Sequence, residues 1–164
     1  MHFLASIEQS TFCVWVRESR SLFAYPGILL LHTYGMAVLV AVVAALDLRI
    51  LGFAPALPLA PIAKLFPLLW AAFWVNAATG TILLAVDATT KLANLDFWIK
   101  MVCIALGVVN QRLIERRVFG DPLIDQQPLS TDARRLAVVS LTLWLGAITT
   151  GRLLAYVGPV NGVN

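Results

Sequence analysis

The sequence predicts an all-α integral membrane protein: a four-helix bundle preceded by an N-terminal amphipathic helix at the membrane interface. The first observation is a run of 21 residues, 26–46, that holds no full charge, and about 20 apolar residues cross the hydrocarbon of a bilayer. The second is composition, with 60% hydrophobic and 13% charged residues, roughly half the charge of soluble domains. The third is length, because 164 residues suit a single domain, 1–164, of four spans joined by short connections.

The N-terminal residues 3–16 place apolar side chains at helical spacing and polar ones on the opposite face. This pattern is typical of an amphipathic helix that lies in the membrane interface. A polar break follows, and Pro26 suits the first turn of the first span, where its missing N–H costs nothing.

Four spans are predicted, at about 26–46, 62–86, 97–114 and 133–157. Pro67 is expected to bend the start of the second span, and Ser130 to Asp132 to cap the fourth. Asp47 and Arg49, at the end of the first span, are interpreted as a local interfacial pair. On that interpretation the membrane contains no carboxylate that could relay protons.

Basic residues predict the orientation, since cytoplasmic connections carry an excess of Lys and Arg. The first–second and third–fourth connections hold most of the basic residues: Arg49, Lys64, Arg112, Arg116, Arg117, Arg134 and Arg135. We therefore expect a multi-pass protein of the bacterial inner membrane with both termini in the periplasm. The net charge of +3 indicates that the partner is the lipid bilayer and not nucleic acid.

A short internal similarity links the second and fourth spans, which share Thr-Gly at 79–80 and 150–151. Either the resemblance is chance between apolar helices, or the chain is a repeat of two helix pairs. Carrying the offset of 71 back to the first span sets His32 opposite Cys103. Aligning Gly52 with Gly120 sets it opposite Lys100 instead.

Polar residues of the four spans are predicted to share one pocket that is open toward the periplasm. Such residues are costly in hydrocarbon and mark functional sites. The candidate binding residues are His32, Asn76, Lys100, Arg152 and Tyr156. Tyr156 lies one turn after Arg152 and shares its face.

His32 has two interpretations: a core histidine bonded to a carbonyl or to Asn76, or a ligand to a metal or haem iron. Gly35, on the same face, would let a flat macrocycle approach, whereas Met36 together with His32 would suit Cu(I). Lys100 and Arg152 either reach the interface or pair with an anion such as a haem propionate, a carboxylate substrate or Asp87. No catalytic motif is present, so no catalytic residue is assigned.

The order of several short motifs resembles a family of small bacterial four-span inner-membrane proteins. They are Tyr25-Pro26, His32-x-x-Gly35, Asp47-Leu48-Arg49-x-Leu51-Gly52, Phe97-x-x-Lys100 and Gly151-Arg152-x-x-Ala155-Tyr156. That family looks related to the copper-resistance-D-like group, which includes haem-binding protoporphyrinogen oxidases. The resemblance implies His32 as the ligand with Lys100 and Arg152 as polar partners, and the chain departs from it in lacking a second membrane histidine.

The expected function is therefore to hold copper or haem b near His32, in copper handling or membrane electron transfer. It would act with a periplasmic redox or metal partner or as a homo-oligomer. Two alternatives are a non-catalytic membrane subunit or oligomeric scaffold, and a small-solute transporter.

Overall fold

The computed structural model describes residues 2–157, and the side chains of residues 3–154. The described residues form helices and no strand. Four helices are long and apolar enough to cross a membrane, which confirms the predicted all-α four-helix bundle. Within each candidate span, only 22–28% of the most apolar window is buried in the protein, so most apolar side chains face outward, as a lipid environment favours.

The first and third spanning helices are α3, Tyr25–Ile50, and α7, Leu95–Arg117. Both extend beyond the predicted 26–46 and 97–114, chiefly at their C-terminal ends. Pro26 lies in the first turn of α3, as expected. Asn94 caps α7 by accepting a hydrogen bond from the Asp96 N–H at 2.8 Å, which starts the helix two residues early.

The second span, Leu59–Ala85, is built from three pieces. These are α4 at Leu59–Ile62, a 3₁₀ turn at Ala63–Leu65, and α5 at Phe66–Ala85. The break lies just before Pro67, since proline lacks the N–H that a continuous helix needs. The fourth span is α8, Thr131–Val157, and the Ser130 hydroxyl accepts from the Ala133 N–H at 3.1 Å.

The prediction of a single amphipathic helix over 3–16 is wrong in detail. The structure has two helices there, α1 at His2–Glu8 and α2 at Thr11–Glu18. Ser10 divides them by capping α2, its hydroxyl accepting from the Cys13 N–H. Cys13 and Val16 pack on Val86 in a small second core. Phe12 and Trp15 remain about half exposed, as in an interfacial helix.

The four spans form two antiparallel hairpins, α3 with α5 and α7 with α8, which are joined along α3 and α8. Helices α5 and α7 hardly touch each other. Where they meet, the Trp70 indole donates to Glu115 at 3.1 Å, and the Arg112 guanidinium stacks over the Trp70 ring. The seam between α5 and α7 is therefore closed at one end of the bundle.

The two ends of the bundle differ in the segments that they carry. The connection end holds the connections 51–65 and 118–130, where the Asp125 carboxylate accepts from the N–H groups of Leu59 and Ala60. The terminal end holds α1, α2 and the short helix α6, Ala88–Leu92. There Glu8 accepts from the Thr89 N–H and hydroxyl, so a distant carboxylate holds a short helix at each end.

The two hairpins bury many matching positions when 68 residues separate the first helices and 71 the second. Five of the seven buried residues of α3 have buried counterparts: Leu39, Val42, Val43, Leu46 and Ile50 correspond to Gly107, Asn110, Gln111, Ile114 and Val118. The other two, Gly35 and Asp47, correspond to the half-buried Cys103 and Glu115. Of the two alignments, this correspondence matches the one that sets His32 opposite Lys100.

Candidate functional site

An apolar cavity of about 240 Å³ lies among all four spanning helices, toward the terminal end. Of the side chains described, the ionisable ones that line it are His32 and Lys100, both basic, and none is acidic. The remaining wall is largely aliphatic, aromatic and thioether, which is the usual make-up of a small-molecule site. The volume is below the roughly 300–1,000 Å³ of drug-sized pockets.

His32 lies on α3 at the cavity wall, half buried. Its Nδ1 is 3.1 Å from the Asn76 carbonyl oxygen and 3.0 Å from Thr79 Oγ1. The Thr79 hydroxyl donates to the Val75 carbonyl at 2.7 Å, so both groups facing Nδ1 are acceptors. Nδ1 therefore carries the ring proton, and Nε2 keeps a lone pair that has no hydrogen-bond partner within the described part of the chain.

Gly80 permits this position of the imidazole. A Cβ at Gly80 would lie 3.0 Å from His32 Cε1, closer than ordinary contacts allow. Glycine in a helix interior costs roughly 0.5–1 kcal/mol relative to alanine, and here it leaves room for the ring beside α5. The two hydrogen bonds and this contact fix the orientation of His32.

Lys100 reaches the cavity from α7 and lies against Gly151 of α8, with Cε 3.5 Å from where a Cβ would be. Among residues 3–154, the structure gives its ammonium no hydrogen bond and no ion pair. An unpaired ammonium within a membrane span is costly and marks a functional site. The cavity is thus suited to a ligand that brings negative charge or a carbonyl oxygen.

Asn76 and Trp144 add polar groups to the wall. The Asn76 side-chain oxygen and the Trp144 indole nitrogen are buried without hydrogen-bond partners, and both residues line the cavity. Buried polar atoms in native structures usually have partners. A ligand with both donors and acceptors would satisfy them.

Met36 and Met101 also line the cavity, from α3 and α7 respectively. Sequence reasoning named Met36 and missed Met101, because the two lie on different helices and only the packing brings them to one wall. Thioethers are soft ligands for Cu(I) and also serve as haem axial ligands. No group of three or more His, Cys, Asp or Glu side chains in the described ranges could hold a metal.

The structure does not bring all predicted site residues together. His32, Met36, Asn76 and Lys100 line one cavity, whereas the Arg152 side chain is exposed and is not among the lining residues. Arg152 follows Gly151, and neighbouring residues of a helix point about 100° apart. The Tyr156 side chain lies outside the described residues.

Sequence reasoning also misjudged Asp47. Its interpretation as a partner of Arg49 is wrong, because Asp47 is fully buried, and Arg49 donates instead to the carbonyls of Leu57 and Pro55. Asp47 is therefore a carboxyl within the α3 span. The signal was present, since Asp47 follows Val43 by four residues on the buried face.

Comparison with known proteins gave no match, whether to a family model, a curated protein or a solved structure.

Proposed function

We propose that this chain is a multi-pass protein of the bacterial inner membrane that holds haem b on His32 and acts in membrane electron transfer. The observation that carries the proposal is the state of the His32 ring. Histidines that bind metals usually donate the other ring N–H to a carbonyl or carboxylate, which fixes the tautomer. His32 does so through Nδ1, toward the Asn76 carbonyl.

The charge of the cavity favours haem over a bare cation. Haem b carries carboxylates on an apolar macrocycle, and the cavity combines apolar walls with the Lys100 ammonium, which has no ion pair among residues 3–154. Lys100 would pair with a propionate, and His32 and Met101, which line the cavity from different helices, would hold the group. Haem iron would supply one-electron transfer.

The size of the cavity sets a condition on this proposal. About 240 Å³ is small for a macrocycle, so the bundle would have to widen. The seam between α5 and α7 is the place for it, because these helices hardly pack against each other. The Trp70–Glu115 contact would hold the seam at the connection end.

Copper handling is the second candidate, and the two methionines favour it. His32, Met36 and Met101 together line the cavity, and a set of one imidazole and two thioethers suits Cu(I). In either case we place both termini in the periplasm, so that the cavity serves a periplasmic redox or metal partner. A non-catalytic subunit, an oligomeric scaffold or a small-solute transporter would leave the cavity without iron or copper.

The test is the absorption spectrum and metal content of the full chain, purified in detergent after expression with ample haem precursor and copper. We expect a Soret band that is lost in His32→Ala and kept in His2→Ala, which removes the only other histidine. Lys100→Met should keep the band but weaken haem retention, because only the propionate contact is removed.

The remaining outcomes separate the alternatives. One copper per chain without a Soret band, lost in His32→Ala and Met101→Leu, would replace haem by copper. Neither haem nor copper after both supplements would contradict the proposal and leave the scaffold or transporter. Retention of the Soret band in His32→Ala would remove His32 from the site.

A further inference from the structure

A second polar cluster lies toward the connection end, at the junction of α3, α7 and α8. Asp47, Gln111 and Ser140 each have 0% exposure. The Ser140 hydroxyl lies beside the Asp47 carboxyl, but its hydrogen bond goes to Gln111 Oε1 at 3.2 Å. Both Asp47 oxygens and Gln111 Nε2 are buried without a partner.

These three unpartnered atoms require an explanation, because a buried polar atom without a partner costs roughly 1–3 kcal/mol, and more when charged. No basic side chain in residues 3–154 pairs with Asp47. Its neighbour in sequence, Arg49, is exposed and bonded to the backbone of the following connection. When Asp47 is ionised, the cluster is therefore short of one positive charge.

The side-chain amide of Gln111 can be turned over, because its oxygen and nitrogen positions are assigned from the hydrogen-bond network. Nε2 then donates to Ser140 Oγ, and Oε1 takes the place that has no partner. All unpartnered atoms are then oxygens: the Asp47 pair and Gln111 Oε1. The Ser140 hydroxyl proton that the turn releases can donate to the neighbouring Asp47 carboxyl, and the oxygen lone pairs that remain are what a hard cation needs.

We propose that Asp47, Gln111 and Ser140 bind a sodium ion between α3, α7 and α8. One carboxylate balances one monovalent charge, whereas a divalent ion would leave an excess charge inside the membrane. Asp47 lies three residues before the end of α3 at Ile50. The partial negative charge of that helix terminus adds to the attraction for a cation.

The sodium site is independent of the proposed haem site. Asp47 follows His32 by 15 residues on α3, which corresponds to about 22 Å along a helix. Failure of one proposal therefore leaves the other in place. The ion would join three of the four spans, and so would stabilise the bundle from the connection end.

The test is thermal unfolding of the full chain in detergent, in sodium chloride against choline chloride at equal ionic strength. We expect sodium to raise the midpoint by on the order of 5 °C when it exceeds its Kd about a hundredfold. Asp47→Asn should abolish the sodium effect. Asp132→Asn should retain it, since that variant removes the same charge from a carboxylate that is 84% exposed on α8.

Ser140→Ala keeps the carboxylate and provides a variant if Asp47→Asn does not fold. It should raise the sodium concentration for half of the effect roughly tenfold or more. Equal midpoints in sodium and choline, or a sodium effect that survives in both variants, would overturn the proposal. So would a midpoint that changes with pH but ignores sodium, because a proton on Asp47 would then supply the charge.

Discussion

The two hairpins bury many of the same positions but place different chemistry on them. In the first hairpin His32 lies on Gly80, and in the second Lys100 lies on Gly151. Each is a basic side chain of the first helix set against a glycine of the second. The two basic groups then line one cavity from different helices.

Toward the connection end the hairpins diverge. Val43 and Leu69 of the first are apolar and fully buried, and their counterparts in the second are Gln111 and Ser140, equally buried. The same positions thus hold two buried apolar side chains in one hairpin and a hydrogen-bonded polar pair in the other. The packing tolerates both because position and burial, and not side-chain type, are what the hairpins share.

The largest expected effect tests whether the two hairpins are equivalent in packing. Leu46 and its counterpart Ile114 are both 0% exposed. Leu46→Ala and Ile114→Ala should each lower the free energy of unfolding by about 2–5 kcal/mol, because each leaves a cavity in the same layer of the core. Denaturant titration in detergent measures both losses.

A control for these variants is Leu145→Ala, because that side chain is 63% exposed and its truncation leaves no internal cavity. Losses for Leu46→Ala and Ile114→Ala that differ by more than about 2 kcal/mol would show that the hairpins are not equivalent, since measured costs at fixed chemistry vary by that much.

The spans and the polar residues within them were predictable from the sequence. Which of those side chains point into the core was not. Uncharged runs identify the spans, and His32 and Lys100 are conspicuous within them. Asp47 was misjudged because Arg49 is near in sequence. Residues two apart on a helix do not face each other, so the carboxyl turned into the core while the guanidinium turned to the backbone of the next connection.

Which side chains enter the cavity could not be predicted from the sequence either. Whether Lys100 or Arg152 enters it depends on the register between α7 and α8, which no periodicity within one helix contains. The structure places Lys100 against Gly151, so the arginine that follows Gly151 points away. Met101 joins the wall for the same reason: its position depends on how α7 is rotated against α3.

Gly80 and Gly151 differ in what an added Cβ would meet. A Cβ at Gly80 would lie 3.0 Å from the rigid His32 ring, whereas one at Gly151 would meet the flexible Lys100 chain at 3.5 Å. Both alanine variants gain helix propensity, roughly 0.5–1 kcal/mol, but only Gly80→Ala should lose about 1–3 kcal/mol to overpacking. The free energies of unfolding of the two variants give the difference directly.

The same two alanine variants also test whether the orientation of His32 matters for binding in the cavity. Gly80→Ala moves the imidazole and should lower haem or copper retention, while Gly151→Ala should leave His32 in place and retention near that of the wild type. Equal retention in both variants would indicate that the orientation of His32 does not matter for binding.

The smallest effect concerns the terminal end, where Glu8 holds helix α6. Hydrogen bonds from the Thr89 N–H and hydroxyl lower the pKa of the Glu8 carboxyl below its ordinary value. A lowered pKa means that the contact stabilises the docked α1 above the unfolded pKa, which for glutamate is about 4.3. We expect this stabilisation to be lost as the pH falls below that value through the pKa of the docked state.

Hydrogen exchange of the Thr89 amide, measured between pH 7 and pH 3 after correction for its intrinsic rate, should therefore show less protection at the acid end. Glu8→Gln should remove this pH dependence. Glu18→Gln should leave it unchanged, because Glu18 is an exposed carboxylate of α2 that pairs with Arg17. Protection that persists to pH 3 in the wild type would mean that the small core of Cys13, Val16 and Val86 holds the terminal end without Glu8.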